Sequence, residues 1–104
     1  MAKVSDWREK FDLPDLAFEV VQLAAYANAN YARQRQSQTS VLSLSRTALA
    51  TAIDLGDPQS PYDSIHPRRK AELGRRLAAA AYYYFYGEGE EGDATVRDYL
   101  FTEI

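Results

Sequence analysis

Apolar residues fall along this chain in two dense runs and one long spaced series, with polar residues marking the boundaries. Ala17-Phe18-Glu19-Val20-Val21-Gln22-Leu23-Ala24 is a nearly unbroken apolar run of strand length with β-branched residues in its middle, the pattern of a strand covered on both faces. Thr47 to Asp54 is a second such run. Between them, Asn28 and Asn30 offer N-caps for a helix reaching to about Leu44, with Tyr31, Gln38, Val41 and Leu42 at helical spacing. Strand, helix, strand in this order predicts a parallel pair joined by a right-handed crossover. Ahead of the first run, Val4 to Phe11 is a short amphipathic stretch with Trp7 and Phe11 one helical turn apart. It reads as the tail of a helix, capped by Ser5 or Asp6 and ended by Pro14.

The spaced series is the clearest element. Leu73, Leu77, Ala80, Ala81, Tyr84 and Phe85 share one face of a helix over 67–86, with Pro67 at its first position and Gly87 as its C′ residue. The opposite face carries Arg68, Arg69, Glu72, Arg75 and Arg76, which reads as a solvated face paired through Glu72 rather than a phosphate site. Tyr82, Tyr83 and Tyr86 are left to face a neighbouring element or a partner. Glu88 to Asp93 is an acidic, glycine-rich linker, and Thr95 to Ile104 is either a strand or a loose end. The fold class is therefore α/β: two parallel strands with flanking helices at about 4–11, 29–44 and 67–86. Two strands and three helices cover each other only in part, so unpaired sheet edges predict marginal stability or self-association.

Composition narrows the classes further. At 104 residues and 46% hydrophobic, the chain suits one globular domain or a piece of one, burying about two-thirds of its unfolded surface. A net charge of −3 argues against nucleic acid as a partner, because phosphate binding draws on a surplus of Lys and Arg. The chain has no cysteine, which excludes a disulfide framework and a thiolate metal site. No run approaches the apolar length of a membrane span. Met1 to Trp7 lacks the apolar core of a signal peptide, so an export signal would lie upstream of Met1.

The chemistry concentrates at Gly56 to Pro67, which carries the only histidine, His66, with Asp63 three positions before it. An Asp-x-x-His pair on one loop is the base half of a serine-hydrolase triad: the acid fixes the imidazole tautomer and the imidazole deprotonates a hydroxyl. This loop leaves the carboxyl end of the second strand, where ligands bind in open α/β sheets. A helix starting at Pro67 would disfavour imidazolium and keep His66 able to accept a proton. On general grounds His66 also reads as a surface or helix-capping residue, and Asp63 as a turn residue following Pro61.

Ala52-Ile53-Asp54-Leu55-Gly56-Asp57-Pro58, then Ser64-Ile65-His66-Pro67-Arg68 with Lys70 following, and the Gly74-Arg75-Arg76-Leu77-Ala78 helix ending in Tyr86-Gly87 resemble the C-terminal end of the catalytic domain of sialate O-acetylesterases. Those enzymes are SGNH (GDSL-like) carbohydrate esterases. Upstream, Asp6-Trp7-Arg8, Val21-Gln22-Leu23-Ala24 and Arg35-Gln36-Ser37-Gln38 resemble the same family in the same order. The resemblance spans about residues 4 to 87. It implies that 1–87 is the C-terminal portion of an SGNH-type esterase domain, a partial three-layer fold, and that 88–104 is a linker with a divergent tail. It implies that His66 is the catalytic base and Asp63 the orienting acid, with no cofactor and no metal. It also implies that the nucleophilic serine and the oxyanion hole lie in N-terminal motifs, a setting that Ser43, Ser45, Ser60 and Ser64 do not have. The function implied is that of a fragment of a serine-dependent carbohydrate O-acetylesterase. Its substrate in the intact enzyme would be an O-acetylated sialic acid or related sugar, and its partner a complementing N-terminal chain or a second copy. The alternative is a non-catalytic interaction module derived from that fold, binding through the tyrosine-rich helix and the sheet edges.

Overall fold

A computed structural model describes residues 2–86. The predicted Gly87 terminus, the linker 88–93, the segment 95–104 and the division at 87/88 lie outside the described residues. Helix α1 (Ala2–Lys10) is followed by strand β1 (Phe18–Gln22), helix α2 (Ala32–Gln38), strand β2 (Thr47–Thr51) and helix α3 (Lys70–Ala81). β1 and β2 pair in parallel, with Phe18 opposite Thr47 and Gln22 opposite Thr51. The chain is thus α/β, with two parallel strands and flanking helices. No helix among the described residues is long and apolar enough to cross a membrane.

The apolar runs form the strands because β-branched and small residues suit a packed, pleated surface. In β2, Thr47, Ala48, Ala50 and Thr51 are buried. In β1, half-buried and exposed positions alternate, and Glu19 and Val21 stay open. Cover on both faces therefore holds for β2 and fails for β1 among the described residues. The buried apolar set is Val4, Ala24, Val41, Ala48, Ala50, Ala52, Leu55 and Ala80. Alanines dominate it, which lets α3 lie close to β2 but contributes little transfer free energy per residue.

Polar staples supplement this thin core. In α1, Trp7 meets Phe11 edge to face at 6.2 Å and Phe18 at 5.9 Å, which holds the helix against β1. Arg8 donates from Nε and Nη2 to the Leu16 carbonyl at 3.0 and 2.8 Å, and from Nη2 to the Ser45 carbonyl at 2.7 Å. Because α1 begins at Ala2, Ser5 and Asp6 lie inside it rather than capping it, and Asp6 accepts from Lys10 Nζ at 2.9 Å.

α2 and α3 depart furthest from their predicted spans, for identifiable reasons. α2 ends at Gln38 and continues as a tighter 3₁₀ turn, Thr39–Ser43. There the hydroxyls of Thr39, Ser40 and Ser43 donate to the carbonyls of Gln36, Ser37 and Ser40 at 2.6, 2.7 and 2.9 Å, the local competition that makes Ser and Thr poor helix interiors. α3 begins at Lys70 rather than Pro67. Asp57 accepts the Arg68 backbone N–H at 3.3 Å, Arg69 sits at ψ 59°, and the Lys70 N–H donates to the Arg68 carbonyl at 2.8 Å. The last turn, Tyr82–Tyr86, is a π-helix, so 3.6-residue spacing stops applying there. Tyr84, predicted as core, is consequently 44% exposed, while Phe85 is half-buried beneath the Arg46 guanidinium at 5.9 Å.

Candidate active site

Beyond the carboxyl ends of the two strands the chain builds a hydrogen-bonded platform. Arg76, predicted on a solvated face, is only 8% exposed. Its Nη1 donates to the Thr51 carbonyl at 2.9 Å and to Asp54 Oδ1 at 2.6 Å, its Nη2 to Asp54 Oδ2 at 2.7 Å, and its Nε to Glu72 Oε1 at 3.2 Å. The bidentate bond from Arg76 holds the Asp54 carboxyl below its ordinary value. Thr51 Oγ1 donates to Gln22 Oε1 at 2.7 Å, joining β2 to β1, and Gln22 Nε2 donates to the Arg35 carbonyl at 3.1 Å, joining β1 to α2.

The His66 loop rises from this platform after a 3₁₀ turn at Ile53–Leu55. It is closed at its base by Asp57 and Arg68: Nε donates to Oδ2 at 2.7 Å and Nη2 to Oδ1 at 3.2 Å. Hydrogen bonds from Arg68 hold the Asp57 carboxyl down at about 2. Inside the loop, the Asp57 N–H donates to the Ser64 carbonyl at 2.9 Å and Ser60 Oγ to the His66 carbonyl at 2.8 Å. The His66 backbone is therefore fixed on both sides of its side chain. A second loop, after β1, braces the first. Tyr26 Oη donates to Asp63 Oδ2 at 2.9 Å, the Ala27 N–H donates to the buried Ser64 Oγ at 3.0 Å, and Tyr26 stacks on Tyr31 with ring centroids 5.6 Å apart. Gly56 lies against this brace, where an added Cβ would stand 3.0 Å from the Ala25 carbonyl oxygen.

Asp63 and His66 share one turn, and the His66 N–H donates to the Asp63 carbonyl at 2.9 Å. Asp63 adopts φ 82°, a left-handed conformation that Asp tolerates better than most residues. Its carboxylate is engaged by Tyr26 and, at 2.8 Å, by the Ser64 N–H. The His66 side chain is exposed and its imidazole makes no hydrogen bond to a described residue. It lines an open concavity of about 690 Å³ with Tyr62, Pro67, Arg68 and Lys70. His66 stands four residues ahead of α3, so it does not border the first turn of that helix as the expected start at Pro67 had placed it. Among the described residues no cluster of His, Asp and Glu gathers as a metal site.

No pattern along the chain pointed to Tyr26, which lies 37 positions from Asp63. The Asp57–Arg68 pair had a signal, opposite charges flanking one loop. Arg76 had half of one, its spacing from Glu72.

Comparisons with known proteins bear on this arrangement. No protein-family model matches the chain. It is 33% identical to a sialate O-acetylesterase of Mus musculus, over 82% of this chain and 19% of that protein. With a sialate O-acetylesterase of Homo sapiens it shares 31% identity, over 84% of this chain and 20% of that protein. The crystal structure of a carbohydrate acetylesterase from Xanthomonas citri matches with a TM-score of 0.70 and 37% identity, covering 82% of this chain and 20% of that one. The chain thus spans about a fifth of the length of the relatives it matches.

Proposed function

We propose that this chain, a segment homologous to the sialate O-acetylesterases and to a carbohydrate acetylesterase of known structure, supplies the catalytic base of a serine-dependent carbohydrate O-acetylesterase. The observation that carries this reading is the placement of His66: side chain open to a concavity, backbone pinned on both sides, on a loop beyond the carboxyl ends of a parallel pair. Ligands of open α/β sheets bind at that end.

In the proposed reaction the neutral His66 imidazole takes the proton of a serine hydroxyl as its oxygen bonds to the acetyl carbonyl carbon. The imidazolium then returns that proton to the departing sugar oxygen as the ester C–O bond breaks, and the same exchange with water releases acetate. The serine comes from outside these residues. Among the described hydroxyls, Ser60 is committed to the His66 carbonyl and Ser64 to the Ala27 N–H, and neither bonds the imidazole. Asp63 as orienting acid rests on its spacing from His66 and on their shared turn. The substrate is an acetylated sugar of the kind named for the relatives, an O-acetylated sialic acid among them, and the remaining machinery is contributed by a complementing N-terminal segment.

A base without nucleophile or oxyanion hole loses most of what a triad does, because its members act as a unit. The purified chain should hydrolyse p-nitrophenyl acetate no faster than its His66→Ala variant. A rate well above that of free imidazole at the same concentration that disappears in the variant would place a nucleophile within this chain and overturn this reading.

A further inference from the structure

Among the described residues the edge of β1 away from β2 carries no strand, and a side chain closes it at one point. Along β1 the Phe18 N–H and the Gln22 carbonyl face β2, bonding the Arg46 carbonyl and the Ala52 N–H at 3.0 Å each. Backbone groups of the odd-numbered residues therefore face the opposite edge. There Gln38 Nε2 donates to the Val21 carbonyl at 2.9 Å, and the Leu23 N–H donates to Gln38 Oε1 at 3.0 Å. In a parallel ladder one residue of a neighbouring strand bonds these same two groups, the carbonyl before and the N–H after the residue it faces. The Gln38 carboxamide has the donor and acceptor of a peptide group and occupies that position opposite Gln22.

We infer that Gln38 is a strand surrogate: a side chain from α2 that ends the free edge of β1 at Gln22 and fixes where the following loop departs. Two consequences follow from the geometry. A strand added along this edge must stop short of Gln22, which keeps the space beyond the strand ends for the loops. The loop released at Leu23 is the one whose Tyr26 and Ala27 brace Asp63 and Ser64, so Gln38 is a positioning residue for the His66 loop. Its bearing on catalysis rests on the reading of His66 given above. The surrogate role itself does not, and it is tested without any activity.

Site-resolved amide exchange on the whole chain reads it directly. Gln38→Leu, which keeps the bulk and removes both polar atoms, should speed exchange at the Leu23 amide by about tenfold, the loss of one backbone-type hydrogen bond. The Ala52 amide, bonded on the β2 side, should change little. Gln38→Asn keeps the carboxamide but withdraws it by one methylene from the Val21 carbonyl and the Leu23 N–H, so it should also speed Leu23 exchange by about tenfold. If Gln38→Leu does not fold, Gln38→Asn alone decides: a folded variant with Leu23 unprotected and Ala52 unchanged supports the surrogate, and one with Leu23 as protected as in wild type overturns it. Unchanged Leu23 exchange in a folded Gln38→Leu protein, or an equal loss at Leu23 and Ala52, also overturns it.

Discussion

The two ends of this molecule are held by different means. Beyond the carboxyl ends of the strands, Arg76, Asp54, Thr51 and Gln22 form a continuous hydrogen-bonded platform under the His66 loop, and Gln38 bonds the backbone on either side of Gln22. At the α1 end and along the π turn, large apolar side chains lie open: Trp7, Phe11 and Leu13 at one place, and Tyr82, Tyr84 and Tyr86 at the other. The buried core between them is mostly alanine. Order at the candidate site therefore comes from directional bonds rather than from apolar burial, so that end should be far more sensitive to substitution than the other.

Arg76→Ala should show the largest effect. Removing the guanidinium strips the Thr51 carbonyl and the Glu72 and Asp54 carboxylates of a shared donor. Breaking a buried pair costs about 3–5 kcal/mol, and the 40% exposure of the Asp54 side chain brings the expected loss to about 2–3 kcal/mol. Urea unfolding measures it, and a loss under about 0.5 kcal/mol, the range of ordinary surface substitutions, would remove the platform from the account.

Acid should act next, through Asp57. Arg68 holds this carboxyl at about 2, below an unfolded value of about 3.9. A depressed acid stabilises the fold above its unfolded pKa and loses that contribution as pH falls through the folded one. The loop closure should therefore be intact above about pH 4 and weaken toward pH 2. Asp54 shifts in the same direction, so Asp57→Asn is the control. An NMR titration of the Arg68 Nε–H should show the acid step in wild type and not in the variant, and the same step in both would assign it elsewhere.

The open end should respond least. Tyr82→Ser with Tyr84→Ser should change unfolding free energy by no more than about 0.5 kcal/mol, while lowering light scattering or the binding of a hydrophobic dye. A loss as large as that for Arg76→Ala would mean that these rings carry structural weight, and the contrast between the two ends would fail.

How much was legible beforehand follows the same division. The two apolar runs marked both strands and their parallel order, because hydrophobic density over strand length survives without tertiary context. His66 and Asp63 were legible as neighbours on one loop. What stayed hidden depended on distant partners. Arg76 looked like a surface charge because Asp54, 22 positions away, supplies its burial site, and the start of α3 moved because Asp57 captures Arg68. Tyr84 was misplaced because the helix changes its period at Tyr82, which no side-chain pattern announces.

Whether His66 is a base awaiting a serine from another segment is decided in a chimera. Residues 2–86 would replace the matching fifth of the Xanthomonas citri carbohydrate acetylesterase, whose structure they resemble with a TM-score of 0.70. With circular dichroism confirming that each protein is folded, the chimera should hydrolyse p-nitrophenyl acetate, and His66→Ala should lower kcat by at least about a thousandfold, as removal of a triad member does. A folded chimera that keeps its activity after His66→Ala would contradict the account.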